Sequence, residues 1–463
     1  MRPSGLFVDL IIFWILGSAF AQAQAPFLNQ PLIPQSGAPG GAFILTVNGT
    51  GFAPGAAIDW NGVAKATTFV SAQRLTAKIS PSDTHSAGTI SVTVKNPTGP
   101  ASNVGYFSIT SQFGFSLSEQ GDVNATPRLA VADLNGDGKM DSIEALVYTD
   151  TIAVSLGNGD GTFQGEVVYS TAAGPNNVIV GDFNGDGKID VAALCNTSVV
   201  SVLLGKGDGT LQPHIDSAID PGNINFGIAA GDFNGDGKLD LVVGYQTATA
   251  NSISVLLGHG DGTFAAPVDY SAGSEPGAVA VGDFNHDGKL DIVAANFGNF
   301  AGNSVSILLG NGDGTFQLQK QYDTSNGPVS VVVADFNGDG RLDLAVACAC
   351  GNSATCGRPG DISILLGNGN GTFQKHADYR AHGFPYTLIA DDFDGDGVTD
   401  LAATNLDTFD VSILPGLGNG RFGQTVNFET LAPPVGLAAG DFNNNGKLDI
   451  VVGTNVGFTL MLH

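Results

Sequence analysis

Basic residues are scarce in this chain: 18 Lys and Arg stand against 44 Asp and Glu in 463 residues, a formal net charge of −26. Nucleic acid and anionic membrane surfaces require basic patches, so neither is an expected partner. Cysteine is scarce as well, with four residues, too few for a disulfide-built scaffold. Cys195 and Cys348 recur at one place in two repeats, which predicts that they lie apart. Cys350 and Cys356 flank a short Gly/Asn/Ser stretch and form the preferred disulfide pair. No paired His accompanies them, which argues against zinc. Long apolar runs are also missing. The run from Leu10 to Leu16 falls short of the roughly 20 residues that span a bilayer. With Arg2 before it and Ala19, Ala21 and Ala23 after it, residues 1–23 read as a secretory signal, with a retained anchor as the rival reading. Finally, G-x-S-x-G, H-E-x-x-H and any His/Asp/Ser constellation are absent, which argues against an enzyme. The cluster Lys375, His376, Arg380 and His382 reads as a solvated edge.

What the chain has instead is one acidic phrase, clearest as GDFNGDGKLD from Gly231 to Asp240, present seven times at intervals of about 50 residues. Positions 1, 3, 5 and 9 carry oxygen side chains, position 6 is Gly, and position 7 offers its backbone carbonyl. A hard cation of six to eight oxygen ligands needs this arrangement. The candidate ligands are Asp133, Asn135, Asp137, Lys139 and Asp141 in the first loop and Asp182, Asn184, Asp186, Lys188 and Asp190 in the second. Asp232, Asn234, Asp236, Lys238 and Asp240 form the third, and Asp283, Asn285, Asp287, Lys289 and Asp291 the fourth. Asp335, Asn337, Asp339, Arg341 and Asp343 follow, then Asp392, Asp394, Asp396, Val398 and Asp400, then Asp441, Asn443, Asn445, Lys447 and Asp449. Turn-forming residues alone would drift in identity, whereas positions 1 and 9 are Asp in all seven copies. Carboxylates about 4 Å apart repel by roughly 1 kcal/mol per pair in water, and more at lower dielectric, so the loops are read as Ca²⁺ sites, up to seven. The sixth loop is the richest in Asp and the seventh the poorest. Side chains at positions 1, 3, 5 and 9 hold 21 of the 44 acidic residues, and seven divalent ions would bring −26 to −12.

Residues 24–110 contain no such loop. Short alternating runs separated by turn signals, Ala57 to Trp60, Thr67 to Val70, Leu75 to Ile79, Thr89 to Lys95 and Tyr106 to Ile109, predict a small β-sandwich. The skeleton from Leu45 to Phe52 (LTVNGTGF) and from Thr93 to Gly99 (TVKNPTG) resembles an IPT/TIG immunoglobulin-like domain.

From residue 111 the repeat takes over. Each period runs strand, acidic loop, strand, strand, a Gly-rich turn and a fourth strand, which is the make-up of a propeller blade. The turn is LGNGDGTF or a variant at Leu156 to Phe163, Leu204 to Leu211, Leu257 to Phe264, Leu309 to Phe316, Leu366 to Phe373 and Pro415 to Phe422. Its single carboxylate favours a tight turn over a second cation site. The Phe of these turns, the Phe after the first loop Asp, and Tyr169, Tyr270, Tyr322, Tyr379 and Phe428 recur at fixed offsets and are read as packing between blades. The last repeat stops at His463 without its fourth strand, while residues 112–120 sit where a fourth strand belongs, so that strand is expected to close the ring. The repeats resemble the FG-GAP/VCBS class, related to the propeller of integrin α subunits. The resemblance implies a seven-bladed β-propeller over 111–463, with Ca²⁺ held in the loops between the first and second strands.

The expected protein is all-β: a signal, an Ig-like β-sandwich and a seven-bladed β-propeller. Its expected role is a secreted or surface-exposed, calcium-binding, non-catalytic adhesion or recognition module for a protein or glycan, monomeric and not inserted in the membrane once the signal is cleaved. An extracellular lyase, esterase or quinone-dependent dehydrogenase, or a lectin, on the same scaffold is the alternative.

Overall fold

The computed structural model describes residues 25–463 except 30–31, 34–35, 38–42, 85–87, 110–114, 121–127, 220–224, 246–250, 352–358 and 455–456. The segment read as a signal, Cys356 and the first residues of the expected closing strand therefore lie outside the described residues. The chain divides into two compact units.

The first is a β-sandwich. One sheet orders Phe27–Leu28, Phe43–Thr50, Arg74–Ile79 and Thr67–Ser71; the other orders Ser36–Gly37, Gly105–Ile109, Gly88–Lys95, Ala57–Trp60 and Val63–Ala64. Strand alternation buries Leu45, Val47, Ile58, Trp60, Leu75, Ile79, Val92 and Val94.

The second unit is a β-propeller, with seven four-stranded antiparallel sheets among the described residues. In the third, Asn225–Gly231, Asp240–Tyr245, Ser252–Leu256 and Val268–Ser271 pair in sequence order. The second strand is buried throughout in this and every other blade, which is why Leu241 to Tyr245 reads as an unbroken apolar run. The fourth strand of this blade is exposed except for Tyr270, which is half-buried. In the last sheet Pro434–Gly440, Asp449–Thr454 and Gly457–Leu462 are completed by Ser116–Gln120, with Ser116 opposite Leu462 and Gln120 opposite Phe458. The inner strands neighbour one another in a cycle, since Leu129–Ala132 touches both Pro175–Gly181 and Pro434–Gly440. Numbering blades by their acidic loops, an apolar core fills each space between successive blades, for example Phe183, Leu194, Val202, Leu241 and Val243 between blades two and three.

The core between blades seven and one departs from the pattern. Where blade two presents Val191 and Ala193 to its predecessor, blade one has Ser142 and Glu144, and Glu144 is only 5% exposed. Burial first, and the charge of Glu166 second, push its carboxyl up to about 7.

Candidate metal centre

Each acidic loop leaves the inner strand and returns as the second strand. The left-handed turns between them fall at positions 4 and 6, as in Gly136 (φ 73°) and Gly138 (φ 79°). His286 and Asn444 take the same conformation at position 4 of loops four and seven (φ 58° and 54°). His286 is exposed, as expected of a substitution outside the ligand set.

The position 1 carboxylate caps these turns. Asp133 accepts the N–H groups of Gly136 (2.7 Å), Asp137 (3.1 Å) and Gly138 (2.7 Å). Asn135 at position 3 accepts from Asp137, and Asp137 at position 5 accepts from Lys139. The position 9 aspartate has no solvent exposure in any of the seven loops. In loop three its two oxygens take the N–H of Phe233 (2.8 Å) and of Gly258 (2.7 Å), stapling the loop's start to the blade's Gly-rich turn. Asp449 does the same in blade seven, where that turn is missing: the N–H of His463, 2.7 Å away, replaces the glycine amide.

These bonds correct one inference from the sequence. Invariant aspartates at positions 1 and 9 do not by themselves demand a cation, because each is already the acceptor that folds the loop. Position 7 also has a role beyond its carbonyl. In loops one to five its side chain lies over the position 5 carboxylate: Lys139 to Asp137 at 3.4 Å, Lys188 to Asp186 at 3.3 Å, Lys238 to Asp236 at 3.5 Å, Lys289 to Asp287 at 3.7 Å and Arg341 to Asp339 at 3.6 Å.

The sixth loop keeps the position 1 cap and the position 9 staple but differs in its side chains. Val398 replaces the cation, Asp394 replaces Asn at position 3, and Asp396 is half-buried where its counterparts are exposed. Asp392, Asp394 and Asp400 bring one oxygen each to within 4.8 Å of one another, the only such acidic group among the described residues. Burial, then the charges of Asp396 and Asp392, push Asp394 up to about 7, and burial, then Asp394, push Asp400 up to about 8. Asp186 in loop two goes the other way, held below the usual range by the Lys188 amide that it accepts. An all-oxygen, acid-rich donor set with Val398 in place of the Lys or Arg at position 7 fits a hard divalent cation such as Ca²⁺, and fits a soft metal poorly.

Elsewhere, two polar clusters join the third and fourth strands of a blade. Ser201 donates to Asp216 (2.7 Å), which is also 2.7 Å from His214 Nδ1, and Ser363, Asp378 and His376 repeat the arrangement in blade five. The aspartate stands between serine and histidine, so the histidine has no serine proton to take. The adjoining thiols of Cys195 and Cys348 are buried and not in disulfides, and burial pushes them up to about 11 and about 12, far from a reactive thiolate. Cys350 is disulfide-bonded. In the cluster read as a solvated edge, His376 meets Asp378, Arg380 Nε lies 3.8 Å from Asp361, and His382 Nδ1 lies 2.5 Å from Asp410. The recurring aromatics lock blades together. The loop Phe of one blade meets the turn Phe of the next edge-on, as in Phe233 with Phe316 (5.5 Å) and Phe284 with Phe373 (5.5 Å), and Tyr270 and Tyr322 pack on the same turn rings. The N–H of Gly314 adds a backbone bond to the Phe233 carbonyl (3.0 Å).

Comparison with known proteins agrees with this architecture. A family model described as an FG-GAP-like repeat matches residues 133–193, 182–243, 245–294, 291–346 and 392–452. An IPT/TIG domain model matches residues 30–113. No curated protein matches. Among solved structures, a crystal structure of BBS1N in complex with ARL6DN, soaked with lead, is similar at a TM-score of 0.54 and 14% identity, over 75% of this chain and 96% of that chain. The mercury-soaked crystal of the same complex gives a TM-score of 0.51 at 14% identity, over 75% and 95%. An auxiliary nutrient binding protein from Bacteroides ovatus is similar at a TM-score of 0.40 and 11% identity, over 96% and 99%. For the first two the likeness is one of fold, and the third, at that TM-score, carries no argument. With repeat matches over more than half of its length and an IPT/TIG domain before them, the chain belongs to the FG-GAP-like repeat family.

Proposed function

We propose that this chain is an exported, non-catalytic recognition module whose propeller is stiffened by calcium, with loop six as its strongest site. The convergence of Asp392, Asp394 and Asp400 carries this reading. Asp392, Asp394, Asp396 and Asp400, with the Val398 carbonyl, would hold the ion. Loops one to five would bind more weakly, because Ca²⁺ must first displace the Lys or Arg from the position 5 carboxylate. Loop seven, with Asn443 and Asn445, would be weakest.

The family's FG-GAP and TIG domains support an extracellular adhesion or recognition role, and the segment 1–23 supports export. Among the described residues no helix is long and apolar enough to cross a membrane. A cation that binds only the folded state adds about 2.7 kcal/mol at a hundredfold excess over its Kd. Thermal unfolding in Ca²⁺ and in chelator is the test of stiffening: a higher midpoint in Ca²⁺ is expected, and equal midpoints would contradict it. A glycan array and a protein capture assay, each run with and without chelator, test recognition. Turnover of an ester, a polyuronate or an alcohol with a quinone acceptor would overturn the non-catalytic reading.

A further inference from the structure

Charge is divided unevenly along the chain. Residues 24–110 carry Lys65, Arg74, Lys78 and Lys95 against Asp59 and Asp83, whereas residues 111–463 carry 13 basic and 41 acidic side chains. In the sandwich sheet that contains Phe43–Thr50, Arg74–Ile79 and Thr67–Ser71, Leu45, Val47, Leu75 and Ala77 are buried, so the residues that alternate with them form its outer face. Strand pairing sets that face out in three rows: Ile44 opposite Lys78, Thr46 opposite Thr76 with Thr68 on its other side, and Asn48 opposite Arg74. Thr68, Arg74 and Lys78 are exposed, and none of the three strands carries an acidic residue. Nor do the residues of 24–110 that lie outside the described set. Arg74 Nε donates to Asn48 Oδ1 at 3.3 Å, which steers the guanidinium and leaves its other N–H groups without a partner among the described residues. Lys78 likewise has no ion pair among them.

We propose that this face binds an acidic polysaccharide of the polyuronate type, which gives a ligand class to the recognition role above and rests on that reading. The guanidinium of Arg74 is a planar fork for a carboxylate, and Lys78 is a second point of positive charge. The two stand four residues apart on one strand, about 13 Å at the usual strand rise, which favours an extended chain over a single small anion. Between them runs the row of Thr46, Thr76 and Thr68, whose hydroxyls make no hydrogen bond among the described residues and can both donate to and accept from sugar hydroxyls. Two cations at that spacing suit a chain with one charge per sugar and would leave most charges of a densely sulfated chain unpaired. Single-stranded nucleic acid fits less well, because these strands turn no aromatic ring outward for a base to stack on: Phe43 and Phe69 pair with Ile79 and Leu75 on the core side. The surplus of acid in residues 111–463 repels a polyanion, which leaves the sandwich as the part of the chain whose charge admits one.

The test is calorimetric titration of hexagalacturonate into the full chain at low salt and in chelator. Residues 24–110 contain no acidic loop, so the face does not depend on Ca²⁺, and chelator prevents Ca²⁺ from bridging the ligand's carboxylates to the loops. Saturable binding is expected, at least tenfold tighter than for monomeric galacturonate or for the uncharged methyl ester of the hexamer. Arg74→Glu and Lys78→Glu should each weaken it at least tenfold, whereas Lys95→Glu, the same change of charge as Lys78→Glu but on the other sheet, should weaken it less than threefold. Absence of binding, binding that the methyl ester or hexathymidylate matches, or a loss in Lys95→Glu equal to that in Lys78→Glu would overturn the proposal. Such a failure beside hits on the glycan array or in protein capture would remove the polyuronate and leave the recognition reading standing, and the use of chelator throughout keeps the result independent of the calcium reading.

Discussion

Loops three and six share a backbone path and a position 9 staple, yet they balance their charge in opposite ways. Loop three has three aspartates, exposes Asp236 and covers it with its own Lys238; loop six has four, buries Asp394 and Asp400, and has a valine where the lysine would be. The difference separates two jobs that the sequence writes with one residue type. Aspartates at positions 1 and 9 fold the loop by accepting amides in both, and in loop six Asp392 and Asp400 also gather with Asp394 into one acidic group.

That division can be broken or sharpened by substitution, starting with the largest effect. Asp240→Ala strips the acceptor from two buried amides, those of Phe233 and Gly258. It should cost about 2–5 kcal/mol in urea unfolding, with chelator present throughout. No loss in chelator would mean that position 9 serves the metal alone.

Glu144 is the control outside the loops, a carboxylate as inaccessible as Asp394 but on the face toward blade seven. Its folded-state value, about 7, lies above its ordinary 4.5. The stability it allows is therefore full below about pH 4.5 and is lost as pH rises through about 7. Glu144→Gln should remove this slope and stabilise the protein at pH 8 by up to roughly 3 kcal/mol, read from denaturation midpoints across pH. An unchanged slope would show that the cost lies elsewhere.

Exchanging position 7 tests the comparison itself. Val398→Lys should weaken the tightest Ca²⁺ phase at least tenfold, about 1.4 kcal/mol, while Lys238→Val should tighten loop three by a smaller factor. Smallest of all, Tyr322→Phe removes a 3.4 Å hydroxyl bond to the Gly371 carbonyl and should cost about 0.5–1 kcal/mol in thermal unfolding, with no change in Ca²⁺ affinity.

The fold was legible because the blades spell out their strands locally: a buried second strand, a Gly-rich turn in blades one to six, and an outer strand with one aromatic in blades one and three to six. Phe233 and Phe316 stand at offsets that repeat, so their pairing could be read from spacing alone. The division of labour among the aspartates was not legible. Asp133 and Asp392 hold the same place and each accepts three amides, and only three dimensions show that Asp392 also lies beside two other carboxylates. Position 7 varies among the repeats, which hides its second role: the ion pair of Lys238 with Asp236 depends on a side-chain course that the sequence does not specify. Glu144 escaped notice because it is a single departure from the repeat, at the register place where blade two has Ala193.

The most direct test is calorimetric titration of Ca²⁺ into the full chain and into its Asp394→Asn variant. The account predicts saturable uptake by the parent chain, with the tightest phase missing from the variant. No uptake by the parent, or a tightest phase that survives in Asp394→Asn, would contradict it.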